Sequence, residues 1–112
     1  MKVLVIAHGL GFGGAQISTL EFLKLLRDKV RLKVLICDRA HETFSIRMNC
    51  LGVNVYRVPC RIAMSYPIMN AEYASKLIEW ADVVWLTDIE YAVAPRIKKI
   101  KSVPVIAHLH SY

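Results

Sequence analysis

Four of the five glycines in this 112-residue chain fall between Gly9 and Gly14. They close an apolar run of strand length, Val3 to Ala7, and open a leucine-rich stretch of helical length. Residues of this type, between a strand and a helix, can hold a phosphate group. Glycine has no Cβ, so the backbone comes close to a ligand. The N–H groups of such a turn, with the positive end of the following helix, then face an anion. A merely permissive turn is the plainer alternative for the same residues.

Two registers fit the cluster. Gly9-Leu10-Gly11-Phe12-Gly13-Gly14 matches G-x-G-x-x-G, and Asp38 stands at the end of the next apolar run. An acid there would bind a ribose, as in dinucleotide-binding enzymes. In that fingerprint, however, the first glycine ends the strand itself. Here Ala7 and His8 hold that place, which shifts the weight to Gly13, Gly14 and Gln16.

The elements that position this turn alternate along the chain. Strands are expected over Lys2–His8, Arg31–Cys37, Val53–Val58, Asp82–Leu86 and Val103–His108. Helices are expected over Gly14–Asp28, Glu42–Leu51 and Asn70–Trp80, with a short one carrying Pro95 in its first turn. Gly52 suits the end of the second helix and Asn70 the start of the third. Near-continuous Val, Ile and Leu runs mark strands buried on both faces. The expected fold is therefore α/β, a three-layer domain with a parallel five-stranded sheet of order 3-2-1-4-5. Its crevice lies at the carboxyl ends of the first and fourth strands. Trp80 and Trp85 are expected to pack in the core, and His41 to lie in an exposed loop.

Composition narrows the class. One domain of ordinary size is expected, since 55% of residues are hydrophobic and a real core can form. No apolar run has the length of a membrane span, so a cytoplasmic protein is expected. Cys37, Cys50 and Cys60 form neither a disulfide framework nor a zinc motif. His8, His108 and Asp88 have the donor types for a metal, but no close-spaced motif joins them, and no metal is expected. The net charge is +6, with basic clusters at Arg27, Lys29, Arg31, Lys33 and at Arg96, Lys98, Lys99, Lys101. A solvated face explains such clusters most simply. Peripheral contact with an anionic membrane is the further possibility, and nucleic acid is not expected, because no aromatic-interleaved motif accompanies the charge.

The opening stretch MKVLVIAHGLGFGGAQISTLEFLKLL resembles the N-terminus of family-four (group one) glycosyltransferases, built from two Rossmann-like domains in the GT-B fold. GVNVYRVP, ADVVWLTD and SVPVIAHLHSY resemble their third, fourth and fifth strands, in the same order. The resemblance implies an N-terminal, acceptor-side Rossmann-like domain over residues 1–112. It implies transfer of a sugar from a nucleotide-sugar donor to an acceptor hydroxyl, commonly with retention and without a bound metal. The nucleotide sugar is a co-substrate, and no further cofactor is implied.

Roles follow position by position. Gly13 and Gly14 would approach phosphate through backbone N–H groups, with Gln16 beside them in the first helical turn. His110 matches the family's crevice histidine, and His108 is the alternative match, although a hydrogen-bonded core histidine is as good a reading of it. Asp88 would bond an acceptor hydroxyl, and Tyr66 would line the acceptor side. The family also needs a C-terminal donor domain, which these residues do not supply. The domain is thus expected to be truncated after its fifth strand and inactive by itself, with exposed surface that favours a homodimer. The alternatives are a dinucleotide-binding oxidoreductase domain and a non-catalytic module for a phosphorylated ligand or anionic lipid.

Overall fold

A computed structural model describes residues 1–7, 13–37, 39–58, 72–87 and 94–108. Five strands are present: β1 (Lys2–Ala7), β2 (Arg31–Cys37), β3 (Asn54–Val58), β4 (Val83–Thr87) and β5 (Val105–His108). Among the described residues, four helices lie between them: α1 (Gly14–Leu26), α2 (Glu42–Cys50), α3 (Glu72–Trp80) and α4 (Ala94–Ile100). The sheet order is β3-β2-β1-β4-β5, and every neighbouring pair is parallel. Fold class and strand order are those expected from the sequence.

β1 shows why its sequence is almost wholly apolar. Successive side chains of a strand point to opposite faces. Leu4 and Ile6 join a core with Ala74, Leu77 and Ile78 of α3 and Ile97 of α4. Val3, Val5 and Ala7 join a second core with Leu20 and Leu23 of α1 and Phe44 and Met48 of α2. Both faces are covered, so neither parity of position accepts a polar residue. Leu4, Val5 and Ile6 have no solvent exposure. Each side chain buried in this way contributes about 1.5–3 kcal/mol.

Helix spacing matches those two faces. Ala74, Leu77, Ile78 and Ala81 recur at i, i+3, i+4 and i+7 and line one stripe. Phe44 and Met48 stand one turn apart on α2. Gly52 has φ 75°, where an L side chain would be strained, and its N–H donates to the Asn49 carbonyl at 3.0 Å to close α2.

Boundaries move where a residue does something other than pair. Asp82 precedes β4 because its carboxylate accepts the Lys2 N–H at 2.9 Å while its own N–H donates to the Lys2 carbonyl at 2.8 Å. β5 begins after Pro104, which has no N–H to give the ladder. Asn70, expected as a cap, lies outside the described residues.

Both tryptophans are half-buried rather than central to the core. Trp85 packs on Phe22 with ring centroids 4.2 Å apart. Trp80 carries the Lys33 ammonium 4.3 Å from its ring centroid. An indole spends its apolar area this way at the rim of a core, and the cation gains from the ring face. β5 is an edge strand and its Ile106 is 43% exposed, the surface on which the expected self-association would draw.

Candidate functional site

The chain leaves β1 toward β2 on one side and reaches β4 on the other. The crevice between the carboxyl ends of β1 and β4 is therefore the topological switch point, where α/β sheets bind ligands. β1 ends there at Ala7, and α1 begins at Gly14 with Gly13 as its cap. The helix N-terminus thus sits at the second glycine pair. Gly9 and Gly11 lie outside the described residues, as does Asp38.

Gly13 is extended, with φ −148° and ψ −155°, and its carbonyl accepts the first helical hydrogen bond from the Ile17 N–H at 3.0 Å. Its N–H donates to Oε1 of Gln16 at 3.0 Å. That is one half of a capping box. The other half cannot form, because glycine has no side chain to accept from the N–H groups of the first turn. No acidic residue stands in that turn either. The cap and the first turn therefore bring no negative charge to the positive end of the α1 dipole.

Nor does packing require glycine at these positions. Both glycines are exposed, and neither has a positive φ. A Cβ on Gly14 would meet no described atom within 4 Å, and one on Gly13 would meet only Oε1 of Gln16, at 3.9 Å. Glycine at both positions leaves the backbone without a Cβ, which is what a close-approaching anion needs.

Thr87 closes the floor of the crevice, and it is absent from the residues the sequence singled out. It is 4% exposed, and its hydroxyl donates to the Ile6 carbonyl at 3.3 Å, tying the end of β4 to the end of β1. The only signal for it was a hydroxyl residue ending the apolar run Val83–Leu86. His108 is the last residue of β5 and stands in register with Thr87, so its backbone belongs to the same end of the sheet.

The structure thus brings Gly13, Gly14 and Gln16 together and puts Thr87 and His108 on strand ends of the same rim. His110, Asp88 and Tyr66 lie outside the described residues. So does His8, and among the described residues no group of three or more His, Cys, Asp or Glu could hold a metal ion. An open groove of about 500 Å³ lies elsewhere, on the β3 edge, lined by Asn49, Val55, Tyr56 and Arg57.

His41 is exposed, as expected, but it is more than a loop residue. It caps α2, with Nδ1 accepting the Thr43 N–H at 3.2 Å. Ser45 in the first turn of α2 is 5% exposed and accepts a hydrogen bond from the Arg57 guanidinium of β3. These contacts fix α2 beside the rim.

Solved structures share this fold. Anabaena Alr3699/HepE in complex with UDP-glucose superposes with a TM-score of 0.72 at 21% identity, over 99% of this chain. The fold is that of a GT-B-like Rossmann domain. A second structure of HepE, in complex with UDP and glucose, gives a TM-score of 0.71, also at 21% identity and 99% of this chain. This chain spans 29% and 30% of the two HepE chains. No family model and no curated protein sequence matches it. Among the described residues, no helix of the GT-B-like domain is long and apolar enough to cross a membrane.

Proposed function

We propose that this chain is the acceptor-side domain of a glycosyltransferase that moves a sugar from a nucleotide-sugar donor to an acceptor hydroxyl. One observation carries the reading. The α1 N-terminus at the switch point has a glycine cap, no acid in its first turn, and two exposed glycines whose Cβ positions no described atom occupies. The likeness in fold to a protein solved with UDP-glucose supports it.

The chemistry requires the diphosphate to leave. Negative charge grows on its oxygens as the glycosidic bond breaks. Backbone N–H groups already aimed at that position stabilise the growing charge without reorganising. In this reading Gly13 and Gly14 supply those N–H groups, the Gly13 N–H leaving Oε1 of Gln16, which holds it in the free chain, for the phosphate. His110, or His108 in the alternative match, positions donor and acceptor across the rim. Asp88 and Tyr66 contact the acceptor. A facing domain holds the nucleotide, so this chain by itself binds the sugar nucleotide weakly and transfers nothing.

Separate titrations with UDP-glucose and NAD test the reading, using the purified chain and its Asp38→Asn variant. Millimolar binding of UDP-glucose that is indifferent to Asp38 is expected. Tighter binding of NAD that is lost with Asp38 would replace the transferase reading with an oxidoreductase one.

A further inference from the structure

We propose that the end of the domain opposite the crevice docks on an anionic lipid surface. The amino ends of the strands are tied together there. Arg31 donates its N–H to the Met1 carbonyl at 2.9 Å, and Lys101 Nζ donates to the Ala81 carbonyl at 2.7 Å, just before β4. Helices run antiparallel to the strands they connect, so α1 and α4 also end at this face. Lys24 comes from the last turn of α1, Lys29 from the turn after it, Arg31 from the start of β2, and Lys98 and Lys99 from α4 in the other layer, and all five are exposed.

Opposing charge is scarce. Among the described residues at this end the acids are Asp28, Glu79 and Asp82. Asp28 lies 3.7 Å from the Arg27 guanidinium, and the Asp82 carboxylate accepts the Lys2 N–H. Lysines in a last helical turn complement the helix dipole, which accounts for Lys24, Lys98 and Lys99. It does not account for Lys29 and Arg31, which lie beyond α1. The charges are spread over both layers instead of converging in a cleft, so they suit an extended anionic plane better than one phosphate group.

A second observation distinguishes lipid from other polyanions. The two most exposed large apolar side chains among the described residues are Met1, at 72%, and Leu25, at 67%. Met1 precedes β1 and Leu25 lies in the last turn of α1, so both stand at this same end. Apolar side chains among cations bind a headgroup boundary, whereas a nucleic acid backbone rewards charge alone. Each cation near an anionic leaflet strengthens binding by about fivefold. The domain measures 34 × 32 × 26 Å, so docking by this end leaves the Gly13–Gln16 turn facing water across the width of the fold.

Vesicle flotation tests the proposal. One set of vesicles is phosphatidylcholine alone, and the other is three parts phosphatidylcholine to one part phosphatidylserine. The expected result is flotation with the second set only, weakening as salt rises. The paired change Lys29→Glu with Arg31→Glu, and separately Lys98→Glu with Lys99→Glu, should each weaken it by about tenfold or more. Arg39→Glu, just beyond the carboxyl end of β2 and so at the crevice end, should leave it unchanged. Leu25→Ser should weaken vesicle binding severalfold and leave binding to a single-stranded oligonucleotide untouched. Equal flotation with both vesicle sets would overturn the proposal. So would a loss with Arg39→Glu as large as with the paired changes. Indifference of vesicle binding to Leu25→Ser, with oligonucleotide binding of equal strength, would make this end a nucleic-acid surface instead.

Discussion

The backbone N–H of Gly13 donates to Oε1 of Gln16, 3.0 Å away, and no cap side chain answers from Gly13. An aspartate at this position would complete the capping box and bring a negative charge to the helix N-terminus. Asp caps are better than Gly by only a few tenths of a kcal/mol, and the dipole adds about 0.3–1 kcal/mol. Gly13→Asp is therefore expected to hold or slightly raise the melting temperature while abolishing the response to a nucleotide sugar. Thermal unfolding and ligand titration of the same preparation check both halves.

Thr87 predicts a purely structural loss. Thr87→Val keeps the shape and removes the hydroxyl that donates to the Ile6 carbonyl. The expected cost is about 1 kcal/mol, read as a lower denaturation midpoint with an unchanged slope.

The α2 cap behaves differently. His41 accepts the Thr43 N–H through Nδ1. His41→Ala is expected to lose about 1 kcal/mol, and His41→Asn, a good cap residue, to keep it. Amide exchange over Thr43–Ser45 at constant pH should quicken in the alanine variant. It should stay at the wild-type rate in the asparagine variant.

Much of the fold is legible in the sequence because its determinants are local. The runs Val3–Ala7 and Leu32–Ile36 declare strands covered on both faces, and parallel order follows from the alternating helices. The Gly13–Gln16 turn is legible for the same reason, since its partners are three residues apart. What depends on distant groups is not. His41 becomes a cap only through the backbone at α2. Thr87 matters only because β4 lies beside β1. Trp80 and Trp85 read as core from their bulk, yet an indole serves equally at a rim, where Lys33 and Phe22 meet them.

Asp82 sets an acid limit on stability. The backbone N–H of Lys2 holds its carboxyl below the ordinary carboxylate value, against opposing desolvation, and Lys2, Lys101 and the chain's amino terminus add to the lowering. A carboxyl depressed in the folded state binds protons less readily than in the unfolded chain. Its stabilisation is present above the unfolded value and is lost as pH falls through the folded one, from about pH 4 downward. Asp82→Asn should flatten that part of the profile of melting temperature against pH, leaving the neutral-pH slope unchanged.

Transfer chemistry gives the next outcome. The purified chain is expected to show neither hydrolysis of UDP-glucose nor transfer to an acceptor, because the proposed reaction needs a facing domain. Robust turnover by the chain alone would contradict that division of roles.

The central claim is that the α1 N-terminus is a phosphate-facing turn, and residue-resolved amide spectra during a UDP-glucose titration test it most directly. The expected shifts saturate together at Gly13, Gly14 and Gln16, are reproduced by UDP, and vanish in Gly13→Asp while the remaining spectrum keeps its dispersion. Amides at Gly13–Gln16 that stay still at millimolar UDP-glucose, or that move equally in Gly13→Asp, would contradict it.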